Sequence, residues 1–182
     1  KFIRTQGGTP EASVLASDIR TTAINAALAN GMLAHADESD DFEPTTKAHP
    51  GSSIVPAALA AAQRHGASGA DLLRGIVVGV EVTCRLCAVA PMKVHKAGFH
   101  PTAIFGVMGA VAGVGAMLRL GEQQLVNAFG IAGSMAGGII EYLAEGAWTK
   151  RLHAGWAAQS GIRAALLARA GFVGPLHRFD AR

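Results

Sequence analysis

Pro101-Thr102-Ala103-Ile104-Phe105-Gly106-Val107-Met108-Gly109-Ala110-Val111-Ala112-Gly113-Val114-Gly115-Ala116-Met117-Leu118-Arg119-Leu120 carries a single charge, at Arg119, and is followed by Gly121. Pro101 suits the first position of a helix, where its missing N–H is not needed. Gly106, Gly109 or Ala110, and Gly113 recur at helical spacing, which leaves one face nearly bare backbone for another helix to approach. The spacing predicts a buried helix over 101–120. Its uncharged run, Thr102 to Leu118, is slightly short for a membrane span. A second run, Gln123 to Ile140, carries Gln123, Gln124, Asn127, Gly137 and Gly138. Both read as core helices.

Outward from this stretch the chain stays helical. Thr21 or Thr22 caps a helix to about His35, with Ile24, Leu28 and Met32 along one stripe. Residues 37–51 hold five acids and two prolines without an apolar period, and read as a loop. Ser52 is expected to cap a helix to about His65, with Pro56 near its first turn and Gly66 as its stop. Ser68-Gly69-Ala70-Asp71 resembles a capping box opening a helix to about Ala88. Residues 91–98 connect, Glu122 to Met135 is helical, Ala136 to Lys150 irregular, and His153 to Ala170 the last long helix. Lys1 to Asp18 reads as a loop or short extended lead-in. No strand-period segment competes, so the expectation is an all-α domain of roughly six helices spanning 1–182. The chain starts without an initiating Met and stops shortly after a helix terminator, and reads as part of something larger.

Composition excludes several classes. Half of the 182 residues are hydrophobic and 16% charged, which supports a packed core rather than disorder. Aromatics make up only 5%, so that core must be Ala, Leu, Val and Ile. The net charge of +3 comes without any run of five basic residues, so a nucleic-acid partner is not expected. Cys84-Arg85-Leu86-Cys87 falls late in a helical stretch, whereas reactive pairs sit at helix N-termini; buried reduced thiols and a cytoplasmic location follow. No apolar segment opens the chain as a signal peptide does, and no membrane association is expected.

Three segments carry polar chemistry. His35-Ala36-Asp37-Glu38-Ser39-Asp40-Asp41 leads to His49-Pro50-Gly51. Such crowded acids are solvated, bind a cation, or meet donors from elsewhere. No fixed ligand spacing such as His-Glu-x-x-His appears, and neither a metal nor another cofactor is expected. Gly98-Phe99-His100-Pro101-Thr102 places a His beside the free N–H groups of a helix start, where a carboxylate can be held. Thr149-Lys150-Arg151-Leu152-His153-Ala154-Gly155 puts positive charge at a helix opening, against the helix dipole, which an anion would offset. Ala132-Gly133-Ser134-Met135-Ala136 mimics a nucleophile elbow but lacks the preceding strand. Gly109, Gly113 and Gly115 lack a dinucleotide spacing.

Taken in order, Ala29-Asn30-Gly31 with His35, the Asp40-Asp41 pair, His49-Pro50, Gly98 to Thr102, and Lys150 to Gly155 resemble the MmgE/PrpD family. That family includes 2-methylcitrate dehydratase, cis-aconitate decarboxylase and iminodisuccinate epimerase. The resemblance implies the large helical domain of a two-domain enzyme, without its first helices and without its α+β lid, which supplies a tyrosine. It implies a metal-free lyase acting on a small polycarboxylate, with dehydration of a 2-methylcitrate-like hydroxy acid as the leading reaction, and a homodimer. His49, His100 and Lys150 match family active-site positions, with Asp40 and Asp41 as further catalytic candidates. Glu38, Thr102 and His153 are candidate substrate-binding residues. The family often reads Asp-Phe-Asp-Asp where this chain has Glu38-Ser39-Asp40-Asp41. The reading from a different class is a non-catalytic helical oligomerisation scaffold.

Overall fold

The computed structural model describes residues 1–176. Its α-helices are α1 (Ala23–Ala34), α2 (Pro50–His65), α3 (Gly69–Val89), α4 (Lys93–Lys96), α5 (Pro101–Met117), α6 (Glu122–Met135), α7 (Tyr142–Glu145) and α8 (Thr149–Arg169). A 3-10 turn, Phe2–Thr5, precedes a two-stranded antiparallel sheet, β1 (Ala12–Ser13) and β2 (Arg20–Thr21), with Ala12 opposite Thr21. The all-α expectation holds, with this short ribbon as the extended lead-in.

Helix α5 runs through the middle, packed on α2, α3, α6 and α8, while α1 lies across α2 and α8. Nearly every residue of α5 is buried, so its apolar length is a globular core. Among the described residues no helix is long and apolar enough to cross a membrane. The core is alanine-rich: Ala23, Ala26, Ala27, Ala57, Ala60, Ala61, Ala158 and Ala165 surround Ile54, Val114 and Ile162. Small side chains bury little area each, but they let helix axes come close, so backbone atoms supply the contacts. A Cβ on Gly113 would meet the Gly75 carbonyl at 2.5 Å, and one on Gly31 would meet the Gly155 Cα at 2.6 Å. The first contact sets the α3–α5 crossing, the second α1–α8.

Local boundaries follow capping chemistry. Thr22 accepts the Asn25 N–H, and Ser68 accepts that of Asp71. Gly66 ends α2 at φ +61°, a left-handed position that glycine adopts freely. Two expected starts move. Helix α2 begins at Pro50 rather than at a Ser52 cap, because Pro is preorganised for the first helical position; the buried Ser52 hydroxyl donates back to the His49 carbonyl at 2.7 Å. Pro56 consequently lies inside the helix. Helix α8 begins at Thr149 rather than His153, which brings Lys150 and Arg151 into its first turn. The expected connector 91–98 and irregular stretch 136–150 each contain one helical turn, α4 and α7.

Candidate active site

The loop after α1 returns to α2 through strained backbone. Glu38 has φ +54° and Lys47 φ +60°, a region that costs non-glycine residues of order 1 kcal/mol or more and that clusters at functional sites. Arg151 on α8 donates from Nε to the Ala36 carbonyl at 2.9 Å, tying the loop's start to the helix that carries Lys150. Opposite, His100 is the N-cap of α5. Its N–H donates to the Gly138 carbonyl at 2.9 Å, and the Ile140 N–H returns a bond to Gly98 at 3.0 Å. That bridge draws Tyr142 onto the His100 ring, with centroids 5.6 Å apart.

These elements enclose an open cavity of about 460 Å³. Glu38, Asp40, His49, His100 and Lys150 line it, so five of the candidates named from sequence meet in one place. Lys150 Nζ lies 2.6 Å from Glu38 Oε2, and this bond holds the Glu38 carboxyl below the usual range. The Lys150 side chain is only 17% exposed; the positive charge at the start of α8 is thus met by a carboxylate across the cavity. Asp40 Oδ2 lies 2.8 Å from His35 Nδ1 and 3.5 Å from His49 Nδ1.

Three named candidates lie elsewhere. Asp41 accepts the Gly51 N–H through both oxygens, at 2.9 and 3.0 Å. It serves the start of α2, whose first N–H groups have no helical partner, and it does not line the cavity. Thr102 is fully buried and accepts the His49 N–H on its hydroxyl at 3.0 Å. His153 stands behind His100, with their Nδ1 atoms 3.2 Å apart. Both hold a wall in place and do not form it.

The electrostatics favour neutral imidazoles. Burial, then the neighbouring His153, push His100 down to about 2. Burial is also the first cause lowering His35 and His153. Between two neutral rings one nitrogen donates and the other accepts. If His153 donates, His100 presents an Nε2–H outward; if it accepts, His100 presents a lone pair. Tyr142, buried and raised to about 12 by that burial, stays un-ionised beside them.

Sequence reasoning left out Tyr142, Lys47, His95 and Phe42, which also line the cavity. His35 heads the acidic segment, but no spacing gives it a role. Lys47 had a signal in standing two residues before His49, and Tyr142 in being the chain's only tyrosine. His95 sits on α4, a single turn with no signature. Of the two thiols, Cys87 is buried and pushed up to about 12, as an inert packing thiol is, while Cys84 is half-buried.

The chain matches the MmgE/PrpD N-terminal domain over residues 1–182. It is 35% identical over 163 residues to a cis-aconitate decarboxylase-like protein of Aspergillus oryzae, covering 85% of this chain and 34% of that protein. It is 36% identical to the cis-aconitate decarboxylase of Homo sapiens, covering 86% of this chain and 33% of that protein. With that of Aspergillus terreus it shares 30% identity, over 82% of this chain and 31% of that protein. The chain thus spans about a third of the length of these curated relatives. By a match along its whole length, this chain belongs to the MmgE/PrpD family, whose N-terminal domain it resembles throughout.

Proposed function

We propose that this domain forms the helical side of a lyase that works on small polycarboxylates by acid/base chemistry at carbon, with no required metal. The observation that supports this most is the convergence of His49, His100 and Lys150, far apart in sequence, on one cavity. Lys150 holds a substrate carboxylate, sharing or displacing Glu38. His49, oriented by Asp40, exchanges a proton with a substrate carbon. His100 hydrogen-bonds a second carboxylate or relays a proton, with its tautomer set by His153, and Thr102 fixes the backbone under His49. Asp41 keeps its capping role. In this reading an α+β lid outside the chain closes the cavity, and the protein is a cytoplasmic homodimer.

Two reactions use this equipment. In decarboxylation the carbon–carbon bond breaks, carbon dioxide leaves, and the electron pair kept by the substrate is quenched by a proton from the enzyme. In dehydration a base takes a proton from carbon beside a carboxylate and an acid protonates the departing hydroxyl, so water leaves. The names of the relatives favour the first, with cis-aconitate. The family resemblance supports the second, with a 2-methylcitrate-like acid; epimerisation needs only proton removal and return.

The test assays the full-length protein for carbon dioxide release from cis-aconitate and for unsaturated product from 2-methylcitrate, with and without a chelator. His35, Asp40 and His49 gather donor atoms within 4.8 Å, a set that a divalent ion accepts, which makes the chelator arm informative. We expect turnover of at least one acid, unchanged by chelation. Lys150→Ala should lower kcat/KM at least about 10-fold, roughly 1.4 kcal/mol, with unchanged helicity. No turnover and no polycarboxylate binding would return the domain to a scaffold. Activity restored only by one metal would end the metal-free reading, and an unfolded Lys150→Ala would make Lys150 structural.

A further inference from the structure

His35 is fully buried and does not line the cavity, so it cannot touch a substrate. Yet it is the closest partner of a residue that does line it. It forms the C-cap of α1 at φ −98°, ψ 7°, and its Nδ1 meets Asp40 Oδ2 at 2.8 Å. The same oxygen lies 3.5 Å from His49 Nδ1, and the two rings sit 4.6 Å apart, tilted by 59°. An ionised carboxylate only accepts hydrogen bonds, so a neutral His35 must carry its proton on Nδ1. That leaves its Nε2 bare, buried and without a partner among the described residues. An apolar side chain of similar size would spare that atom but leave the buried Asp40 carboxylate without its donor, so the histidine serves Asp40 rather than the helix end.

Resting on the acid/base role proposed for His49, we infer that His35 is a positioning residue: its Nδ1–H holds the Asp40 carboxylate in the rotamer that faces His49 Nδ1. The chain of contacts runs from His35 to Asp40 to His49. Asp40 Oδ2 is engaged by His35 at 2.8 Å and lies 3.5 Å from His49 Nδ1. At 3.5 Å the second contact is longer than a formed hydrogen bond, as catalytic contacts often are before substrate binds. When it closes, Asp40 draws the His49 proton to Nδ1 and leaves Nε2 as the basic atom. Without His35 the carboxylate rotates freely, and His49 divides between two tautomers, one of which offers no base at Nε2.

The experiment compares wild type, His35→Phe and His35→Asn in the full-length protein. The phenyl ring keeps a flat ring in place, slightly larger than the imidazole, and removes the donor. The Asn amide places an N–H close to where Nδ1 stood. Nitrogen-15 NMR of the His49 imidazole, which needs no substrate, should show the Nδ1–H tautomer in wild type and His35→Asn, and a mixture in His35→Phe. In steady-state kinetics His35→Phe should lose about 10- to 100-fold in kcat with KM within about 2-fold, and His35→Asn should recover most of that loss. An Nε2–H tautomer in wild type overturns the inference. So does an unchanged tautomer in His35→Phe, or a His35→Asn protein as impaired as His35→Phe. If His35→Phe does not fold, the wild type and His35→Asn decide, and an Nε2–H tautomer in either is the overturning result. Absence of turnover beside the expected tautomers would fail the proposed reaction and leave the positioning intact.

Discussion

A histidine that is kept neutral inside the fold sets the sign of the acid response. The unfolded chain binds a proton at His100 near the ordinary value of 6.5, while the folded chain, with His100 at about 2, does not. Below pH 6.5 the unfolded state therefore holds more protons, and stability falls with each unit of acidification by about 1.4 kcal/mol per such group. His100 alone should cost about 2 kcal/mol between pH 6.5 and pH 5. His35 and His153, lowered by the same burial, add to it in the same direction. The stabilised carboxylates Glu38 and Asp71 are lost only further into acid, below their ordinary values near 4. Urea unfolding followed from pH 7.5 to 5 should show a falling midpoint, with a shallower slope in His100→Gln. A flat profile would mean that these imidazoles are protonated in the fold.

At the scale of elements, Asp41 tests whether the acidic loop is catalytic throughout or divides its work. Its carboxylate satisfies the Gly51 N–H in the first turn of α2, the helix whose N-cap, His49, has no side-chain cap bond. Asp41→Ala should destabilise by about 1 kcal/mol, the ordinary worth of a cap, while kcat per folded molecule stays within about 3-fold. Denaturation and kinetics on the same preparation separate the effects. A loss of about 100-fold in kcat at unchanged stability would restore the catalytic role first read from the sequence. The neighbouring residue Asp40 points the other way, to His35 and His49. Adjacent residues in one loop thus serve a helix end and a cavity, a division that no sequence spacing displays. Helix boundaries show the same limit: Ser52 has cap chemistry, but Pro50 and the remote Asp41 decide where α2 begins.

For the whole molecule, the open cavity governs what this chain does by itself. Leu143 on its wall is 61% exposed, and Trp148, just before Lys150, is 79% exposed. In the proposed enzyme a lid covers this side, excludes water and strengthens the charges beneath it. The isolated 182-residue chain should therefore show no turnover of cis-aconitate or 2-methylcitrate and should scatter light as a dimer or larger species through its apolar patches. Robust turnover by a monomer would show that the cavity is complete without a lid. How far the molecule is legible in its sequence depends on the range of the forces involved. The six long helices, the glycine face of α5, a cap at Thr21 or Thr22, Ser68 and Gly66 as punctuation, and the candidate histidines and Lys150 were legible in the sequence alone. Periodicity, capping and backbone freedom act within a turn or two, and the ordered motifs mark the family. The tertiary structure decided which candidates share a cavity, that Asp41, Thr102 and His153 stand outside or behind it, and that Tyr142, Lys47 and His95 join it. It also decided that His35 underlies Asp40. Those facts depend on where helices cross, at Gly31 against Gly155 and at Gly75 against Gly113, and on burial that neutralises imidazoles. Both are properties of packing between residues distant in the chain.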